Sequence, residues 1–181
     1  QESQWAVLIY SNGNYDGDVL SEQIEGTFSR AVSTMRTIEN TVAPSSIETF
    51  ICLSSAETNG EASIYQIKAQ SEPVLISNLG NADMSQPATL ASFLEAALSR
   101  SEAQKYALCL SGSGAGWVGM LGDTQHPEGM GLIDLSATLN NAAARLPLGR
   151  FDLLSLYAPE MSSIETIVEL RHSSLYIASS P

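Results

Sequence analysis

The sequence predicts a three-layer α/β/α domain built on a mainly parallel sheet of five or six strands. Strand-like and helix-like segments alternate along most of the chain, the pattern that places helices over a parallel sheet. Four of the five main strand segments are continuous apolar runs, as expected of strands buried on both faces. The 181 residues, 44% hydrophobic and 15% charged, suit one domain spanning 1–181 with a single proper core.

The elements follow in order. "WAVLIY" (5–10) is the first buried strand, closed by the turn-rich "SNGNYDGD" (11–18). Val19, Leu20, Ile24, Phe28, Ala31, Val32, Met35 and Ile38 recur at spacings of three and four, the apolar stripe of an amphipathic helix. Asp16 and Asp18 stand at its start, where carboxylates suit the helix dipole. After a break at Pro44, "IETFICLSS" (47–55) is the second strand. Residues 63–80 hold two β-rich runs around a polar turn and predict a hairpin or edge excursion. "SQPATLASFLEAALSR" (85–100) is a helix with Pro87 in its first turn. "KYALCLS" (105–111) is the third strand, followed by a long loop, 112–131, with seven glycines. A helix over 132–146, a strand over 150–158, a helix over 162–173 and a strand over 174–179 complete the chain.

The net charge of −12 and pI near 4.3 argue against nucleic-acid binding, since the eight Lys and Arg form no basic cluster. No apolar run approaches the roughly 18 residues of a membrane-spanning helix. Cys52 and Cys109 lie in apolar strand segments, where cysteine behaves as a small hydrophobe. Two such residues make no disulfide framework.

The stretch "SGSGAGW" (111–117) stands at a strand end, where ligands and catalytic groups gather in open α/β sheets. It carries no charge, His or Cys. Ser111 and Ser113 do not sit in a Gly-x-Ser-x-Gly elbow, and "GSGAG" lacks the spacing of a dinucleotide loop, so both serines read as turn hydroxyls. Asn12, Asn14, Asp16 and Asp18 have the spacing of a calcium loop, but Gln23 stands where a bidentate Glu belongs. They read as a polar turn, and no cofactor is expected. His126 in "DTQHPEG" reads as a solvated loop residue, and His172 as a partner of a helix C-terminus. Trp5 and Trp117 read as packing residues. The pairs Glu22 and Glu25, Glu57 and Glu61, and Glu165 and Glu169 read as solvated faces.

"KYALCLSGSGAGW" resembles the third core strand and active-site loop of clostripain-like cysteine peptidases, the C11 family, which have a caspase-like α/β fold. "WAVLIYSNGNYDGD" is similar to their opening strand and loop. "LGNADMSQPATLASFLEAAL" and "GLIDLSATLNNAA" resemble the helices before and after the active-site strand. "FDLLSLYAPEMSSIETIVELRHSSLYIASS" is similar to the strand, turn, helix and strand around the nucleophile. The resemblance covers nearly the whole chain in the right order. It implies that Ser113 stands where the family keeps its general-base His, and Pro159 where it keeps its Cys nucleophile. Tyr157 stands where an Asp helps to hold a basic substrate side chain, and Gly114 keeps the position of an amide donor.

Proline has no nucleophile, and a serine hydroxyl without a neighbouring base does not take up a proton near neutral pH. The expected function is therefore that of a catalytically inactive caspase-like domain, a scaffold, recognition or regulatory module within a larger bacterial protein. Its partner would be a protein or peptide, with neither nucleic acid nor membrane insertion, and a secreted or cell-envelope location. Two other readings remain open. One is a hydrolase whose active site is completed by a further segment or a partner chain, since family members continue beyond the fifth main strand. The other is a calcium-stabilised extracellular module, since family members can bind calcium.

Overall fold

The computed structural model describes residues 4–13, 47–55, 60–68 and 71–181. The helix expected over 19–38 and the positions Asn14, Asp16 and Asp18 lie outside the described residues.

Strands β1 (Trp5–Gly13), β2 (Ile47–Ser55), β3 (Ala62–Lys68), β4 (Val74–Gly80), β5 (Lys105–Ser111), β8 (Phe151–Tyr157) and β9 (Ser174–Ser179) form one seven-stranded sheet. Its order is β4-β3-β2-β1-β5-β8-β9. The pairs β1–β2, β1–β5, β5–β8 and β8–β9 are parallel, so the mainly parallel sheet stands. Seven strands replace the expected five or six, because both halves of the 63–80 hairpin join the main sheet. β3 adds antiparallel to β2, and β4 antiparallel to β3. β1 also runs three residues past the expected end. Ser11, Asn12 and Gly13 are polar or small, but they pair with Leu53, Ser54 and Ser55 of β2, and a neighbouring strand outweighs local turn propensity.

Helices α1 (Pro87–Leu98), α2 (Leu132–Ala143) and α3 (Ile164–Leu170) cover one face of the sheet. Pro87 opens α1, where a missing N–H costs nothing, and the Ser163 hydroxyl caps α3 by accepting from the Thr166 amide at 3.2 Å. The apolar face of α1 (Leu90, Phe93, Leu94, Ala97) and that of α2 (Leu132, Leu135, Leu139, Ala143) meet Leu8, Tyr10, Phe50, Leu108, Leu110, Leu154 and Leu156 of the sheet in one core. The rings of Tyr10 and Phe93 lie 5.7 Å apart and tilted by 37°, within the range of a favourable aromatic pair. The Tyr10 hydroxyl, fully buried, donates to the Met84 carbonyl at 2.8 Å and so is not left unpaired. On the opposite face Ile51 and Ile67 form a second cluster with Ile9, Ile47, Leu53 and Tyr65 around them.

Within the long 112–131 loop the chain forms a 3₁₀ turn at Gly116–Val118 and a small antiparallel ribbon, β6 (Gly119–Met120) with β7 (Met130–Gly131). Among the described residues no helix is long and apolar enough to cross a membrane.

Candidate active site

β5 and β8 are parallel neighbours, and their last residues, Ser111 and Tyr157, pair in register. The turns that follow them therefore leave the sheet side by side. The Gly112 amide still donates to the Tyr157 carbonyl at 3.4 Å. Beyond it the two turns press together at Gly114. A Cβ on Gly114 would lie 2.1 Å from the Pro159 carbonyl oxygen, 3.0 Å from the Ala158 Cβ and 3.1 Å from the Met161 Cγ. Only a residue with no side chain permits that approach. Gly119 is required for a similar reason: its φ is +155°, and a Cβ there would lie 2.2 Å from the Met130 carbonyl oxygen of the ribbon. The glycines of this loop thus serve the approach of one backbone to another.

Ser113 lies between these contacts. Its carbonyl accepts from the Leu121 amide at 2.9 Å, and its hydroxyl donates to the Gly122 carbonyl at 3.0 Å. The hydroxyl is thus engaged by backbone rather than by an imidazole. Pro159 is exposed at the tip of its turn, and Glu160, with φ of 62°, reverses the chain after it. Tyr157 is 61% exposed and offers a neutral phenol beside the pair. The two thiols stand elsewhere, inside strands. Burial pushes the Cys52 thiol up to about 12. Burial also raises that of Cys109, with a hydrogen bond to Ser155 opposing. Neither supplies a thiolate near neutral pH.

The sheet end also holds a polar network that the sequence reading missed. Asn12, fully buried, donates from Nδ2 to the Leu121 carbonyl at 2.9 Å and to Asp123 Oδ2 at 3.4 Å. Its carboxamide oxygen accepts from the Ser54 hydroxyl at 3.0 Å. Asp123, 5% exposed, accepts through Oδ1 from the amides of Gln125 at 2.9 Å and His126 at 2.7 Å. His126 is not the free loop residue expected. Its Nδ1 lies 3.1 Å from Asp123 Oδ1 and 3.4 Å from Asp83 Oδ1, so it joins the 121–131 loop to the start of α1. These contacts satisfy a carboxylate that would be costly to bury alone. The signal in the sequence is local. "DTQH" spaces an Asp so that its carboxylate meets the amides two and three residues on, and "DMS" places the Asp83 carboxylate on the amide two residues on. Trp117 also departs from expectation: it is 68% exposed on the 3₁₀ turn and packs into no core. Trp5 lies under Lys105, whose Nζ stands 5.4 Å from the ring centroid.

Among the described residues no group of three or more His, Cys, Asp and Glu is arranged to hold a metal ion. Asn12, the first position of the calcium-type spacing, is a strand residue whose side chain is spent on Ser54, Leu121 and Asp123.

The Asp83 carboxyl sits below the usual carboxylate range. Burial alone would raise it, but the Ser85 hydroxyl, the Gln86 carboxamide, the Ser85 amide and the charge of His126 together outweigh that. A depressed carboxyl stabilises the fold above its unfolded value, about 3.9, and that contribution fades as pH falls through the folded value. Asp83→Asn should therefore lower the melting temperature at pH 7 and converge with the parent chain as pH falls through the folded value, as read by circular dichroism melts from neutral pH into acid. An offset that persists unchanged in acid would show that the carboxylate charge plays no part.

A model of the clostripain family, peptidase C11, matches residues 29–181. No curated protein sequence matches the chain. A secreted C11 cysteine protease from Bacteroides thetaiotaomicron, "iotapain", superposes with a TM-score of 0.77 at 14% identity, over 99% of this chain and 53% of its own. A structure of a secreted C11 cysteine protease from the same organism with an irreversible peptide inhibitor gives a TM-score of 0.73 at 18% identity, over 97% of this chain and 48% of its own. An inactive zymogen C11 protease from Parabacteroides distasonis gives 0.65 at 20% identity, over 100% and 49%. The chain spans about half the length of these solved structures. At such low identity the superpositions establish the fold, and the family match over most of the chain establishes descent. The protein belongs to the clostripain family, with the caspase-like α/β fold of its C11 peptidases.

Proposed function

We propose that this domain is a non-catalytic member of the clostripain family and acts as a recognition or scaffold module for a protein or peptide partner. One observation carries the reading. The turns after β5 and β8 meet at Gly114 and Pro159, and we read Ser113 and Pro159 as standing where the family keeps its His and Cys. Acyl transfer needs a nucleophile, a proton acceptor and oxyanion donors in one place. This place offers a hydroxyl bonded to a carbonyl, a proline ring and a neutral Tyr157. No cofactor is invoked, and the secreted relatives favour a secreted or cell-envelope location.

The second reading is a hydrolase whose active site is completed by a further polypeptide segment or a partner chain. It is favoured by the half-length match to the solved proteases. That polypeptide would have to bring both a thiol and a base.

Fluorogenic peptides ending in Arg or Lys test the non-catalytic reading. The purified protein is expected to cleave them no faster than buffer and to leave a thiol-directed peptide warhead unreacted. Turnover that disappears on Ser113→Ala would overturn the non-catalytic reading and make Ser113 a nucleophile.

A further inference from the structure

The 3₁₀ turn, the first turn of α2 and helix α3 meet beside the turn that carries Pro159. The Val118 carbonyl lies 3.9 Å from where a Cβ would stand on Gly131, and the Glu160 carbonyl 3.2 Å from that position on Gly116. The Ser136 hydroxyl ties α2 to α3 by donating to the Glu169 carbonyl at 3.2 Å. On these elements five large apolar side chains stand out in solvent: Trp117 (68% exposed), Val118 (53%), Ile133 (76%), Ile164 (71%) and Val168 (48%). Ile164 and Val168 share one face of α3 at a spacing of four. Single exposed apolar residues are ordinary, but a group of this size on adjoining elements marks an interaction surface.

Carboxylates edge the group. Asp134 follows Ile133, Glu165 follows Ile164, Glu169 follows Val168, and Glu160 adjoins Gly116. Among the described residues one cation, Arg171, stands at the border, and its guanidinium is engaged by the Val168 carbonyl. We propose that this surface docks an amphipathic basic segment of another protein, its apolar face on Trp117, Ile133 and Ile164 and its Lys or Arg side chains against the acidic border. The chain's net charge of −12 would steer such a segment from solution. The same charge disfavours two other occupants. A second copy packed about a two-fold axis sets this acidic border against itself, and an anionic lipid surface repels it. The surface adjoins the turn of Pro159 but uses none of Ser113, Tyr157 and Pro159, and its test does not depend on whether the domain cleaves peptides.

The probe is a 14-residue helical peptide of leucine and lysine with one apolar face, titrated into the protein by calorimetry. Two control peptides replace every Leu by Ser or every Lys by Glu. Binding by the Leu–Lys peptide alone is expected. It should weaken about tenfold or more on Ile164→Ser with Val168→Ser, and again on Ile133→Ser, a change on a different helix. These positions are exposed, and unchanged melting temperatures would show that the variants fold. Equal binding of the Ser-substituted peptide would reduce the effect to net charge and overturn the proposal, as would variants that bind like the parent. Sedimentation that reveals a dimer abolished by Ile164→Ser would also overturn it, in favour of a second copy.

Discussion

Gly114→Ala is expected to lower the melting temperature by about 6–12 °C, the equivalent of about 3 kcal/mol in a domain of this size. The added methyl would lie 2.1 Å from the Pro159 carbonyl oxygen, a backbone atom that no rotamer change can move aside. The Ala158 and Met161 side chains close the other exits, at 3.0 and 3.1 Å. Relief requires the two turns to separate, and with them the β5 and β8 ends that pair at Ser111 and Tyr157. Gly131→Ala is the control. That residue has a φ of −63°, and its Cβ would meet nothing closer than 3.9 Å. Its loss should stay below about 1 kcal/mol, the cost of alanine at a helix N-cap. Thermal melts of the two variants decide the matter. Equal, small shifts would mean that the turns are not in close contact in solution.

What the sequence revealed depended on the distance over which each feature is decided. The segment 174–179 is a strand to the residue, because its apolar run and its flanking turns are local. β1 was read too short, because "SNG" becomes strand only by pairing with residues some forty positions away. The 63–80 hairpin was legible as a hairpin. That both of its strands extend the main sheet depends on β2, and no local pattern encodes that. Trp117 was expected to pack because tryptophan usually does, yet the 3₁₀ turn points it outward. The Asn12 network gathers residues from four separate segments, so each member alone looks like a turn residue. The candidate site itself was not legible from periodicity or charge. It was found by the order of matched blocks, and the structure then brought the turns of Ser113 and Pro159 together.

Introducing a His and a Cys together is expected to change reactivity more than any single substitution. Ser113→His with Pro159→Cys should allow covalent labelling at position 159 by a thiol-directed peptide warhead, about 100-fold or more faster than Pro159→Cys alone. The single variant gains a sulfur without a base, so it should react no faster than an ordinary exposed thiol. The exposed turn tolerates loss of the proline ring, because the gain of chain freedom costs under about 1 kcal/mol. An imidazole at 113 would inherit a useful partner. The Gly122 carbonyl now accepts the Ser113 hydroxyl at 3.0 Å, and it could accept one ring N–H and leave the other nitrogen free for the thiol. Turnover of Arg or Lys peptides should nevertheless stay low, because Tyr157 gives a basic side chain no charge to meet. Adding Tyr157→Asp should then raise kcat/KM for Arg peptides over uncharged ones. Intact-mass measurement after labelling, with peptide mapping to residue 159, gives the readout. Equal labelling of the single and double variants would show that position 113 does not face the thiol, and the alignment that places the family's base there would fall with it.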